Sequence, residues 1–261
     1  MRLATFLPPG GGAPLAGEVR GDEIVAFADG STVLDRLASG DRTPAAGDSF
    51  ALGEVELLAP VARPRAIFGI GLNYAAHVRE TGGVLPEAPI VFMKLPSSAA
   101  APNAPIGAPK VIRRLDYEGE LAAVMGAGGE VAGYAIADDV SARDLQGREP
   151  QWTRAKGFDG SCPYGPWITT ADDVGDPHDL ALRTWVNGEL RQDTRTSDLI
   201  FKVPELVAFL RETITLEPGD LILTGTPSGV GMALDPPQFL QPGDTIRIEI
   251  ERLGAIEHSV R

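Results

Sequence analysis

Apolar residues along this chain come in short runs broken by glycine and proline, which predicts a strand-rich architecture rather than a helical bundle. "LAGEVRGDEIVAFADG" reads as a strand, a Gly-Asp turn and a second strand. "STVLDRLASG" reads as a short helix capped by Ser31 and stopped at Gly40. "AIFGIGL" is a buried strand, and "NYAAHVRETGG" a two-turn helix that Asn73 caps and Gly82-Gly83 ends. "IVFMKL" at 90–95 is another strand, followed by a Pro/Ala loop over 96–109. Two further strands, 115–125 and 131–137, are joined by the turn "GAGGE". "DDVSARDLQ" opens a helix with Ser141 and Asp144 at capping-box spacing, and 152–167 is a loop. "LALRTWVNGELRQDTRT" predicts a hairpin turning at Asn187-Gly188, and "VPELVAFLRETITL" an amphipathic helix. "GDLILTGTPSGVG" is a strand entering a glycine-rich loop, and "GDTIRIEIERLG" a late strand. Together these predict an α+β, mostly β fold: a small N-terminal unit over 1–60 and a main body over 61–261.

One strand does not fit an ordinary core. "RRLDYEGELAAVMG", 113–126, carries Asp116, Glu118 and Glu120 at period-two spacing, so all three carboxylates share a face. Folding back through Gly128-Gly129 sets Glu118 opposite Asp138 or Asp139. Such a cluster repels itself unless a cation sits within it, and oxygen-only ligands suit magnesium, manganese or calcium. A lone Glu-x-Glu is usually a solvated edge strand; the aspartate across the hairpin favours the metal reading. Three histidines and one cysteine, in unrelated segments, argue against zinc.

His77 and Glu80 stand three apart on the predicted helix, where a carboxylate can orient an imidazole as a general base. His178 and His258 have only a surface reading. Lys94, Lys156, Arg143 and Gln146 are candidates for holding an anionic substrate. The backbone N–H groups of "TGTPSGVG", 224–231, can form an anion-binding nest, with the Thr226 hydroxyl as an added donor. Neither this loop nor "GIGLNY" completes a nucleotide-binding fingerprint. Cys162 has no activating partner in the sequence and reads as structural.

Composition narrows the partners. A net charge of -13 over 261 residues, with no basic run, disfavours nucleic acid and anionic membranes. The opening "MRLATFLPPGGG" does not read as a signal peptide, and no apolar run approaches the ~20 residues of a bilayer span. A cytoplasmic protein is expected.

The ordered set "GLNYAAHVRE", "FMKLPSS", "DYEGELAAVMG", "GYAIADDVSARDLQ", "AKGFDGSCPYGPWI", "VNGELRQ" and "LTGTPSGVG" resembles the fumarylacetoacetate hydrolase family from about residue 65 onward. The resemblance implies a mixed β-sandwich roll, usually dimeric, holding Mg2+ or Mn2+. It implies Glu118, Glu120 and Asp139 as metal ligands, and His77, Glu80 and Lys156 as catalytic residues. Lys94, Arg143, Gln146 and Thr226 would contact substrate. Asp138 departs from the pattern, since many relatives carry Asn there; it would strengthen the cation site or face solvent. The activity implied is cleavage of acylpyruvates or related 1,3-diketo acids. The alternatives are oxaloacetate-type decarboxylation and isomerisation of 2-hydroxyhepta-2,4-diene-1,7-dioate or 5-carboxymethyl-2-hydroxymuconate in aromatic catabolism. A non-enzymatic calcium-binding β-sandwich is a lower alternative.

Overall fold

The computed structural model describes residues 1–261. The N-terminal segment gives strands β1 (Arg2–Leu7), β2 (Leu15–Arg20) and β3 (Glu23–Ala26), helix α1 (Val33–Ser39), and strands β4 (Ser49–Ala51) and β5 (Glu56–Leu58). Thr32, not Ser31, caps α1: its Oγ1 accepts from Asp35 N, and Asp35 Oδ2 accepts from Thr32 N at 2.8 Å. Ser31 instead accepts from Arg36 Nε. Gly40 ends the helix at φ +68, which disfavours side chains with a Cβ.

Strand β6 (Ile67–Gly71) leads into helix α2 (Ala75–Glu80) and strand β7 (Ile90–Lys94). Asn73 does not cap α2. It is buried and bonds the backbone of Phe201 and Thr224, while Asp198 Oδ2 accepts the Ala76 N–H at 3.0 Å. The 96–109 loop contains a two-residue strand, β8 (Ala99–Ala100). Next come β9 (Leu115–Asp116), β10 (Gly119–Met125), β11 (Val131–Asp138) and β12 (Ser141–Ala142), then helices α3 (Arg143–Gln146) and α4 (Thr153–Lys156). The helix expected within "DDVSARDLQ" starts at Arg143, after Ser141 and Ala142 pair with Asp116 and Leu115. The Ser141 hydroxyl donates to Asp139 O and Asp144 accepts the Arg113 N–H, so no capping box forms.

Strand β13 (Cys162–Thr170) runs where a loop was expected over 152–167. Its two prolines and glycine disguise a strand that pairs with β1, β8 and β11. Helix α5 (Ala171–Val174), hairpin β14 (Ala181–Val186) and β15 (Glu189–Arg195), helix α6 (Val203–Arg211) and strands β16 (Leu221–Leu223), β17 (Thr245–Ile250) and β18 (Gly254–Ser259) complete the chain. The hairpin turns at Asn187 and Gly188, both at positive φ, as its Asn-Gly pair predicts.

The main sheet runs β4-β3-β2-β1-β13-β11-β10-β16-β6-β7, with β5 on β1 and β8 on β13. A second sheet runs β15-β14-β17-β18. Strand β10 is buried on both faces, which explains its apolar run from Leu121 to Met125. Leu121, Ala123 and Ile136 face the second sheet's Leu182, Ile246, Ile248 and Ile250. Ala122, Val124, Ala135 and Ala137 share the opposite core with Val33 and Leu37 of α1. This is the α+β, mostly β architecture expected from the sequence.

Gly119, at the start of β10, lies directly against the second sheet. A Cβ there would lie 2.4 Å from Thr184 Oγ1 and 3.1 Å from Gln192 Oε1. Gly119→Ala is expected to lower stability by about 1–3 kcal/mol through overpacking, read as a reduced urea midpoint at unchanged m-value.

Candidate active site

The β10–β11 hairpin pairs Gly119 with Asp138 and Leu121 with Ile136, and the Asp139 N–H donates to Glu118 O at 2.9 Å. The expected register therefore holds, and it sets Glu118 beside Asp139. Carboxylate oxygens of Glu118, Glu120 and Asp139 lie within 4.8 Å of one another, all buried.

Three cations and several N–H groups surround them. Lys156 Nζ bridges Glu118 Oε2 at 2.7 Å and Asp139 Oδ2 at 2.8 Å. Arg143 reaches Glu118 Oε1 at 2.7 Å through Nη1 and Asp116 Oδ2 at 2.8 Å through Nε. Its Nη1 also donates to Gln146 Oε1, and its buried Nη2 has no partner. Lys94 does not face the cavity as a substrate contact would. It is fully buried behind Asp139, donating to Oδ1 at 2.7 Å and to the Lys156 carbonyl. It orients a carboxylate.

The carboxylates Asp116, Glu118, Glu120 and Asp139 are buried together with the cations Lys94, Arg143 and Lys156. If all are ionised, one negative charge remains in excess. The protein relieves this at Glu120: burial, then the charges of Asp139 and Glu118, push its carboxyl well above the usual range. Burial would also raise Glu118, but Lys156 and Arg143 outweigh it and hold that carboxyl at about 2. Burial opposes the Lys156 charge, yet Asp139 and Glu118 keep its ammonium above the ordinary lysine value. Three clustered carboxylates with excess negative charge and no nitrogen or sulfur donor fit a hard divalent cation such as Mg2+ or Mn2+.

A cavity of about 390 Å³ opens beside this cluster, and its lining includes His77, Glu118, Arg143, Gln146, Lys156 and Thr226. His77 Nδ1 lies 2.7 Å from Glu80 Oε1, which fixes the ring and leaves Nε2 as the free nitrogen. Ile70, Phe92, Trp152 and Met232 supply an apolar wall. Sequence reasoning missed this wall, because the residues come from separate segments with no shared pattern.

The glycine-rich loop differs most from expectation. Its N–H groups do bind anions, but these are the protein's own carboxylates. Gly225 N donates to Glu120 Oε2 at 2.7 Å, Gly229 N to Glu80 Oε2 at 2.9 Å, and Gly231 N to Asp116 Oδ1 at 2.8 Å. Thr226 lines the cavity, but its hydroxyl is already engaged, donating to Gly119 O and accepting from Gln192 Nε2. Gln192, on β15, also accepts the Gly119 N–H. No sequence signal marked it.

Asp116, whose role the sequence left unnamed, orients Arg143 and ties down residues 231–232. Asp138 neither joins the cation cluster nor faces solvent. It is fully buried and bonds His258 Nε2 at 2.9 Å. The surface reading of His258 is therefore overturned: it is 3% exposed. His178 stays partly exposed, accepting the Val203 N–H. Cys162 is buried, and burial pushes its thiol up to about 12, as suits a structural residue.

Residues 66–261 match the family model described as fumarylacetoacetate (FAA) hydrolase C-terminal, and the chain belongs to the fumarylacetoacetate hydrolase family. A mitochondrial oxaloacetate tautomerase of Xenopus laevis is 44% identical over 218 residues, 79% of this chain and 68% of that protein. The structure of a 5-carboxymethyl-2-hydroxymuconate delta-isomerase from Mycobacterium smegmatis matches with a TM-score of 0.83 at 38% identity, covering 100% of this chain and 99% of that one. A fumarylacetoacetate hydrolase from Exiguobacterium antarcticum matches with a TM-score of 0.88 at 35% identity and the same coverage. No helix of the chain is long and apolar enough to cross a membrane.

Asp116→Ala would leave Arg143 buried without one of its two carboxylates and release residues 231–232. A stability loss of about 3 kcal/mol is expected, read by urea unfolding. An unchanged midpoint would show that this pair is not integral to the site.

Proposed function

We propose that this chain is a divalent-cation-dependent enzyme that moves a proton on a small 2-oxo acid, with the keto–enol exchange of oxaloacetate as the leading reaction. The observation that carries this reading is that His77, held by Glu80, lines the same cavity as Glu118, Arg143 and Lys156. A purely structural calcium site would have no use for that pair.

A cation held by Glu118, Glu120 and Asp139 would act as a Lewis acid toward the 2-oxo oxygen. Arg143, which lines the cavity and keeps one buried nitrogen, Nη2, without a partner, would take a substrate carboxylate oxygen. The Lys156 ammonium adds positive charge where the acid's oxygens would collect. His77, with Nδ1–H given to Glu80, uses Nε2 to remove the proton from the carbon beside the oxo group. Return of a proton to that carbon restores the keto form, while protonation at oxygen gives the enol. The apolar wall of Ile70, Phe92, Trp152 and Met232 limits water around the exchanging proton.

The relatives' names favour proton transfer over the acylpyruvate hydrolysis that the motifs first suggested. Hydrolysis would also need the same base to activate a water for attack on a second carbonyl. A second reading, double-bond migration in a hydroxymuconate-type diacid, draws support from the Mycobacterium smegmatis isomerase, which covers the whole chain.

With Mg2+ or Mn2+, the protein is expected to speed enol-to-keto conversion of oxaloacetate, followed by absorbance. EDTA should abolish the effect, and His77→Ala should reduce it by about 100-fold or more. A rate equal to buffer, alongside turnover of a hydroxymuconate-type diacid, would select the second reading. Full activity in His77→Ala would remove the imidazole from the mechanism.

A further inference from the structure

Asp138 is the one acid near the cluster that points away from it. Side-chain alternation puts Ala135 and Ala137, and then Asp139, on one face of β11. Tyr134 and Ile136 face the other way, toward the second sheet, and Asp138 follows them. There its Oδ2 meets Nε2 of His258 at 2.9 Å, from strand β18 of the second sheet. Its Oδ1 accepts the Glu118 N–H at 2.8 Å.

The ring's protonation follows from its partners. His258 Nδ1 is buried with no partner. An N–H there would be an unsatisfied buried donor, whereas a bare nitrogen lone pair is the cheaper orphan. The proton therefore sits on Nε2 and is donated to Asp138.

Both peptide groups of Glu118 are thus held by two consecutive residues of β11. The Glu118 N–H goes to the Asp138 side chain, and its carbonyl accepts from Asp139 N at 2.9 Å. Asp139 is itself one of the three clustered acids. A shift of the Asp138 carboxylate would move the backbone of Glu118 relative to Asp139.

From this geometry we propose that His258 and Asp138 are positioning residues for the divalent-cation site: His258 fixes the Asp138 rotamer, and Asp138 fixes the Glu118 main chain. The inference rests on the cation reading of Glu118, Glu120 and Asp139. Two apolar residues of similar volume could fill this part of the intersheet core without burying a carboxylate, so the pair's return is geometric precision. Partners that orient metal ligands typically change metal affinity by 10- to 100-fold when lost. Sequence proximity hides this role, because 120 positions separate the two residues.

The test is calorimetric titration of Mn2+ into the metal-free protein, comparing wild type, His258→Leu and His258→Gln. Leucine fills the ring's space without an N–H donor, and glutamine restores a donor at the height of Nε2. Mn2+ binding is expected to weaken by about 10- to 100-fold in His258→Leu and to recover most of that loss in His258→Gln. Thermal melts in EDTA establish that each variant is folded. If His258→Leu does not fold, His258→Met carries the same comparison. A leucine or methionine variant with wild-type affinity, even if less stable, would overturn the positioning role. Absence of Mn2+ binding by the wild type would overturn the cation reading beneath it.

Discussion

The arrangement of this molecule depends on one electrostatic constraint: carboxylates buried in greater number than the cations beside them. Buried charge of one sign is costly unless paired and hydrogen-bonded. The fold answers with Lys94, Arg143 and Lys156, each placed on more than one oxygen or carbonyl, and with backbone N–H groups from a glycine-rich loop. What remains uncompensated is concentrated at Glu120, where burial and its acidic neighbours disfavour ionisation. A hard divalent cation would relieve that remainder, so the same imbalance suits the cluster to hold one.

The glycine-rich loop is the junction through which the parts of the site communicate. Its N–H groups hold one candidate metal ligand, Glu120, the orienting carboxylate of the His77 pair, Glu80, and the partner of Arg143, Asp116. Glycine is required where the loop runs closest to its neighbours: at Gly229, with φ +100, a Cβ would lie 1.9 Å from the Arg191 carbonyl. The Tyr117 hydroxyl also donates to the Gly229 carbonyl at 2.7 Å. The His77–Glu80 pair, Arg143 and the candidate ligand Glu120 are therefore referenced to one stretch of backbone rather than to three independent loops.

Much of this was legible in the sequence because it rests on local periodicity. The carboxylate hairpin, its register and the His77–Glu80 pair all follow from period-two and helical spacing. The failures have a common physical source, long-range contacts that override local signals. Residues 162–170 form a strand despite Pro163 and Pro166, because β1, β8 and β11 all offer it edges. Asn73 is drawn from its expected cap into bonds with Phe201 and Thr224. Lys94, Gln192 and His258 act on the site from behind, through partners 45, 73 and 120 positions away, and no motif reports such a distance.

The central claim is that Glu118, Glu120 and Asp139 together hold a divalent cation. The most direct measurement is an anomalous difference map from crystals grown or soaked with Mn2+. A single strong peak is predicted, bonded to a carboxylate oxygen of each residue at about 2.0–2.6 Å, the range of hard divalent cations. A map with no peak there, and with the Lys156 ammonium spanning Glu118 and Asp139, would contradict it.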